Sequence, residues 1–292
     1  MKTYKRVSTI KKYLSAHRRK KQTIGFIPTM GALHEGHISL VNASIAENDI
    51  TVVSVFVNPT QFNQAEDLKK YPRDLEKDAA LLKAAGVDYL FAPSVKQVYP
   101  NASAKGPKLD ISHLTKSMEG PNRPGHFEGV VQVVHRLIKI TNPDHIYMGQ
   151  KDFQQFTIIQ HMLSTLNMRT RLRVCAIIRE ENGLAMSSRN QRLSKKLKSE
   201  ASIIYKNLMA AKKALAKKEP EVIERKAMKD LKTGSFDPEY FEIVDGYTFK
   251  KIKNPRRHKL IVACTAVWAK KVRLIDNMIL KGEHLLYPNM KK

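Results

Sequence analysis

Residues 23–37 read TIGFIPTMGALHEGH. The segment Thr23–Pro28 is an apolar run of strand length, and a helical pattern follows from about Gly36 to Glu47. A strand that passes a glycine and enters a helix places a helix N-terminus at the carboxyl end of a sheet, where open α/β folds bind ligands. The next segments repeat this rhythm. Ile50–Val57 is β-branched and continuous, as a strand buried on both faces should be. A helix is predicted over Asp74–Ala85, with Gly86 to stop it, then a short strand over Val87–Pro93. A helix over about Glu128–Ile140, a strand over Asp144–Gly149, a helix over Asp152–Leu166 and a strand over Thr170–Ile178 complete the series. Strand alternating with helix predicts a Rossmann-like parallel sheet with helices on both faces.

The remainder has a different order. Two Lys- and Ala-rich helices are predicted over roughly Lys195–Lys218 and Pro220–Leu231. Strand-like segments follow at Tyr240–Asp245, Lys259–Trp268 and Val272–Leu280. Helices and then consecutive strands predict a smaller α+β domain with an antiparallel sheet. The expected division is 1–178 for the Rossmann-like domain and 179–292 for the smaller α+β domain; a length of 292 residues suits two domains of roughly 100–200 residues.

Composition excludes several classes. Hydrophobic residues make up 42% of the chain, enough for a globular core, and 13 Gly with 13 Pro rule out a collagen-like chain. Two cysteines, Cys175 and Cys264, cannot build a disulfide framework, and this usage fits a reducing cytoplasm. The start, MKTYKRVSTIKKYL, lacks the apolar stretch of about 7–15 residues of a signal peptide. The run Leu260–Ala269 falls well short of the ~20 apolar residues that span a bilayer. A cytoplasmic location without membrane partners is therefore expected. The formal net charge is +25, and 25 of the 52 basic residues lie after Arg189. Such a balance attracts anions. The runs KKYLSAHRRKK and KKALAKK interleave few aromatics, so stacking platforms for bases are not evident and lysine-rich surface is the plainer reading.

Four clusters carry chemistry. His34 and His37, three apart around Gly36, fall on one face of the first helical turn, where two imidazoles can donate to a phosphate chain. Two polar surface histidines would have the same spacing, and a zinc site lacks nearby cysteines or an H-E-x-x-H pattern. Gly149-Gln150-Lys151-Asp152 again follows a strand and opens a helix; Lys151 can meet phosphate, and Asp152 can meet a ribose hydroxyl or cap the helix. Met186-Ser187-Ser188-Arg189 offers hydroxyls and a guanidinium suited to phosphate, or an ordinary helix cap. Asn58 and Gln61 can orient a small polar substrate, or sit in a turn held by Pro59.

Read in order, PTMGALHEGH, FVNPTQF, YPRD, EGPNRPGHFEGV, GQKDFQQ and GLAMSSRN resemble the pantothenate synthetase family of pantoate–β-alanine ligases, within the nucleotidylyltransferase superfamily. The match runs from about Ile24 to Arg192 and resumes weakly at RLIDN, Arg273–Asn277. The resemblance implies ATP-dependent condensation of pantoate and β-alanine through a pantoyl adenylate, with release of AMP and pyrophosphate. It implies that His34, His37 and Lys151 are catalytic, with His37 the assigned proton donor. It places ATP against Met30, Gly31, Ala32, Leu33, His34, Glu35, Gly36 and His37, against Gly149, Gln150, Lys151 and Asp152, and against Ile178, Met186, Ser187, Ser188 and Arg189. Gln61 and Gln155 would bind pantoate, with Gln61 also near β-alanine and Asn58 assisting. Mg²⁺ is expected on the ATP phosphates without a dedicated protein cage, and the resemblance further implies a homodimer in which residues 1–178 form the nucleotide-binding and catalytic domain and 179–292 a C-terminal lid domain. Where the family usually has G-E-K-D, this chain has Gln150, which keeps hydrogen-bonding capacity and loses a negative charge. A different nucleotidyl transferase and an RNA-binding protein are the competing readings; FVNPTQF and GQKDFQQ argue against the first, and only 103 residues after the last motif argue against a tRNA synthetase.

Overall fold

The computed structural model describes residues 1–61, 68–69, 71, 73–100 and 106–283. Phe62 of FVNPTQF and Pro72 of YPRD, both quoted above, lie outside the described residues. The order begins with β1 (Lys2–Tyr4), α1 (Val7–Arg19), β2 (Ile24–Thr29), α2 (Glu35–Glu47), β3 (Ile50–Val55), α3 (Leu75–Ala84) and β4 (Tyr89–Phe91). Then come α4 (Val95–Val98), α5 (Glu119–Asn122), α6 (His126–Thr141), β5 (His145–Gly149), α7 (Phe153–Thr165) and β6 (Arg171–Cys175). The chain continues through α8 (Lys195–Glu200), α9 (Ser202–Ala214), α10 (Pro220–Leu231), β7 (Phe236–Asp245), β8 (Ile261–Ala269) and β9 (Val272–Lys281).

Strands β1 to β6 form one parallel sheet in the order β1-β4-β3-β2-β5-β6. Successive strand residues face opposite ways, and here both faces are apolar. Phe26, Val52 and Ile146 pack with α1, α6 and α7, whereas Ile27, Val53 and Tyr147 pack with α2 and α3. This is why β2 and β3 read as continuous apolar runs rather than alternating ones. From β2 the chain winds through β3 towards β4; from β5 it winds the other way to β6. The crevice between the carboxyl ends of β2 and β5 is therefore the topological switch point.

The second sheet is antiparallel, β7-β8-β9. Strand β8 alternates between two cores. Ile261, Ala263 and Val267 face α9 and α10, while Val262, Cys264 and Ala266 join the core of the parallel sheet.

Several boundaries differ from the sequence reading. Strand β1 and helix α1 add to the elements that the sequence pattern predicts. The basic run masks a helix whose inward stripe is only Val7, Ile10 and Leu14, and β1 is a three-residue edge strand. The chain leaves the sheet at Val55, ahead of the turn at Pro59–Gln61, and at Cys175, because Ala176–Ile178 line a cavity instead. The first Lys-rich helix is two, broken at Ala201.

Candidate active site

At the end of β2 the backbone turns through Gly31 (φ 86°) and Ala32 (φ 52°) before reaching His34. Buried Asp78 of α3 holds this turn: its carboxylate accepts from the N–H of Ala32 at 3.0 Å and of Leu33 at 2.8 Å. A Cβ on Gly31 would stand 2.8 Å from Asp78 Oδ2, so the left-handed conformation and the close approach both require glycine. Burial lifts the Asp78 pKa above the ordinary carboxylate value, and the two backbone bonds only partly offset this.

His34 is the N-cap of α2, and its Nδ1 accepts from the Gly36 N–H at 3.1 Å. His37 Nδ1 accepts from the His34 N–H at 3.3 Å. The two histidines thus form a reciprocal cap, as Ser and Glu do in a capping box. Accepting at Nδ1 requires the neutral tautomer that carries its proton on Nε2. The electrostatics agree. Burial, then the Lys151 charge, lowers His34 to about 4; burial, then His34 and Lys151, lowers His37 to about 3. The rings lie 4.1 Å apart between centroids. Each therefore keeps an Nε2–H to donate without carrying charge.

These rings border a cavity of about 220 Å³ at the switch point. Met30, His34, Gly36 and His37 line it from the exit of β2. Gly149, Lys151 and Asp152 line it from the exit of β5, and Ile178 from beyond β6. Met186, Ser187, Ser188 and Arg189 come from far along the chain, and Gln61 and Gln155 complete the predicted set. Lys151 Nζ lies 3.6 Å from Asp152 Oδ1. The Ser187 hydroxyl accepts from the Arg189 N–H at 3.2 Å, and the Ser188 hydroxyl meets that of Tyr71 at 3.4 Å.

Other predicted residues do not reach the cavity wall. Gly31, Ala32 and Leu33 form the turn on Asp78, and Glu35 lies in the first turn of α2. Gln150 is buried and donates to Asn277 Oδ1 at 3.1 Å. Asn58, 1% exposed, donates to the Gly129 carbonyl (3.1 Å) and Gln61 Oε1 (3.3 Å), and accepts from the Tyr99 hydroxyl (3.1 Å). It holds Gln61 rather than facing the cavity. A Cβ on Gly129 would fall 2.4 Å from the Thr60 carbonyl oxygen, so only glycine lets α6 approach this loop.

Sequence reasoning assigned no role to Asp78, Arg123 or His126. Arg123 and His126 lie in the quoted stretch EGPNRPGHFEGV and line the cavity. His126 Nδ1 bonds the Gln61 carbonyl oxygen at 2.9 Å, so Nδ1 carries the proton and Nε2 is an acceptor. Burial, then the Arg123 charge, lowers its pKa to about 4. Asp152 is the carboxylate on the wall among the described residues, and among them no group of three or more His, Cys, Asp or Glu is arranged to hold a metal. No helix among them is long and apolar enough to cross a membrane.

The cavity combines neutral donors, an ammonium, a hydroxyl–guanidinium loop and two carboxamides, a set suited to a nucleotide triphosphate beside a small polar acid. Known proteins are similar to this chain in sequence and fold. A family model described as "Pantoate-beta-alanine ligase" matches residues 2–279. Pantothenate synthetase of Flavobacterium psychrophilum is 43% identical over 280 residues, covering 95% of this chain and 99% of that one. The Thermotoga neapolitana protein of the same name is 44% identical over 283 residues, covering 96% and 100%. The crystal structure of pantothenate synthetase from Thermus thermophilus superposes with a TM-score of 0.89 at 37% identity, covering 96% of this chain and 100% of that chain. The ligase of Francisella tularensis, complexed with β-γ ATP and β-alanine, gives 0.78 at 34% identity, covering 96% and 98%. With the match running almost end to end in both sequence and fold, the chain belongs to the pantoate–β-alanine ligase family.

Proposed function

We propose that this chain joins pantoate to β-alanine using ATP, through a pantoyl adenylate. The observation that carries the reading is the meeting, around one cavity, of His34 and His37 with Lys151 and the Ser187–Arg189 loop, with Gln61 and Gln155 on the same wall. A carboxylate is a poor acyl donor until its oxygen belongs to a good leaving group. In the first step a pantoate carboxylate oxygen attacks the α-phosphorus, and the bond to the pyrophosphate oxygen breaks. Such in-line transfer needs positioning and charge stabilisation more than covalent help. The Nε2–H groups of His34 and His37 and the Lys151 ammonium would donate to the charge that develops. In the second step the β-alanine nitrogen attacks the acyl carbon, AMP departs and a proton is released. Gln61 and Gln155 would hold the pantoate hydroxyls and carboxylate, and the apolar wall of α6, Val130 to Leu137, suits its gem-dimethyl carbon.

Mg²⁺ belongs to the proposal as a companion of the ATP phosphates, held by phosphate oxygens, water and at most Asp152; it would screen the triphosphate charge. The reading also includes residues 1–178 as catalytic domain, residues 179–292 as its cover, a homodimer and a cytoplasmic location. The ion pair Arg179–Asp276 and the bonds of Asn277 to the Lys151 turn support a cover that closes on the site. The test is release of AMP and pyrophosphate with each organic substrate omitted in turn. Release should require pantoate, and pantothenate should form only with β-alanine; AMP release indifferent to pantoate would overturn the reading.

A further inference from the structure

Lys151 and the Ser187–Arg189 loop leave the parallel sheet by different strands, β5 and β6, yet the Lys151 turn and Arg179, in the segment that leads to the second loop, are both bonded to two consecutive residues of the antiparallel sheet. Asn277 of β9 is 2% exposed. Its carboxamide donates to the main-chain oxygens of Gln150 at 3.0 Å and Lys151 at 2.9 Å, and accepts from Gln150 Nε2 at 3.1 Å. Its amide group and its carbonyl oxygen thus both serve one turn. Asp276 is 4% exposed and receives both prongs of the Arg179 guanidinium, at 2.6 and 3.0 Å. Arg179 also donates to the Gly183 carbonyl at 3.0 Å, and its guanidinium stands 4.4 Å from the centre of the Tyr205 ring. The segment from Arg179 to Gly183 leads directly into Met186–Arg189, and Met186 N–H returns to the Ile178 carbonyl at 3.0 Å. Asp276 Oδ1 further accepts from the Asn277 N–H at 2.8 Å, coupling the two ties.

We infer that the Asp276–Asn277 pair is a positioning device, holding the Lys151 turn and the Ser187–Arg189 loop in register about the triphosphate. The inference rests on the ligase reading above. Physically, the ammonium must meet phosphate oxygens as charge develops, and a displacement near 1 Å costs on the order of 10²-fold in rate. Main-chain anchoring at Gln150 and Lys151 fixes the origin of that side chain. Charge-assisted, two-pronged pairing at Arg179 does the same for the second loop.

The experiment separates the two half-reactions. Pantoate-dependent ATP–pyrophosphate exchange reports adenylation, and single-turnover reaction of preformed pantoyl adenylate with β-alanine reports amide formation, which involves no triphosphate. Asn277→Ala should slow exchange by about 10-fold or more and leave amide formation within about 2-fold. Combining it with Lys151→Ala should add little to the loss from Lys151→Ala alone, because the two act through one group. Asp276→Asn, which keeps shape and removes charge, is the second arm, with Arg189→Ala as its partner in the cycle. Equal slowing of both half-reactions, or losses that simply multiply in both cycles, would mean a packing role only and would overturn the inference. Direct titration with ATP distinguishes this failure from failure of the ligase reading. An inactive wild-type protein would sink the reading, while Asn277→Ala would still have to weaken ATP binding through Lys151 for the positioning device to stand.

Discussion

The exit of β2 is held by groups from its own sheet and helices, whereas the exits of β5 and β6 are held from the other sheet. Asp78 clasps the Gly31–Leu33 turn, and His34 and His37 cap α2 with each other. The Lys151 turn is bonded by Asn277, and Arg179, upstream of the serine–arginine loop, is paired with Asp276. A further tie joins the sheets nearby: Glu119 of α5 accepts from Arg273 of β9 at 2.8 and 2.9 Å and from the Tyr240 hydroxyl at 2.8 Å. His34 and His37, the donors of the first half, are thus fixed by contacts within the parallel-sheet layer. The Lys151 turn and Arg179, in the cationic half, have contacts from the antiparallel sheet as well.

The sharpest test of this division is to remove one donor from each half. His37→Ala and Lys151→Ala should each lower kcat by on the order of 10²-fold or more, as loss of a transition-state donor does. Normal turnover in either variant would remove that half from the reaction. Acid should divide the halves next. Burial pushes the Glu119 pKa up, but the hydrogen bonds and charge of Arg273, with Arg123, outweigh it and hold the group at about 2, against an ordinary 4.5. Its contribution, about 3 kcal/mol, is present at neutral pH and is lost as pH falls from 4.5 towards 2. Glu119→Gln should therefore flatten the fall in urea midpoint over that range. Asp78 works in the opposite sense: its raised pKa makes ionisation costly at neutral pH, and acid relieves that cost. Its value lies in the two N–H groups it satisfies, so Asp78→Asn, which turns a donor towards one of them, should destabilise the protein by roughly 1–3 kcal/mol; an unchanged melting temperature would mean that the β2 exit needs no clasp. The smallest effect expected is none. With His34 near 4 and His37 near 3, pyrophosphate exchange should show no inflection at pH 6.5 from these groups. An inflection there that disappears in His37→Gln would show that the imidazole works as a cation.

The sequence makes the first half legible and the second half much less so. Strand, glycine and paired histidine are neighbours in the chain, and period-two burial on both faces leaves a visible apolar run at Ile50–Val55. Asp78 is a partner of Leu33 across 45 positions, and no local pattern marks a helix aspartate as a main-chain clasp. Asn277 meets Lys151 across 126 positions and between two sheets, so its role follows from docking geometry alone. Asn58 shows the converse. Its carboxamide suits substrate, but buried packing beside Gly129 engages it with the protein instead. Helix α1 is not legible in the sequence because three apolar residues suffice to seat it, and the lysines between them conceal the period.

Strand β8 carries one further consequence. Because Val262, Cys264 and Ala266 face the parallel layer while Ile261, Ala263 and Val267 face α9 and α10, the antiparallel sheet is a middle ply, glued on both sides. Prising it away would wet those side chains together with Tyr240 and Val244, at about 25 cal/mol for each Å² of apolar surface uncovered. Separating the two sheets would carry that cost together with the loss of the Arg179–Asp276 pair, so the same contacts that fold the antiparallel layer also hold it over the cavity.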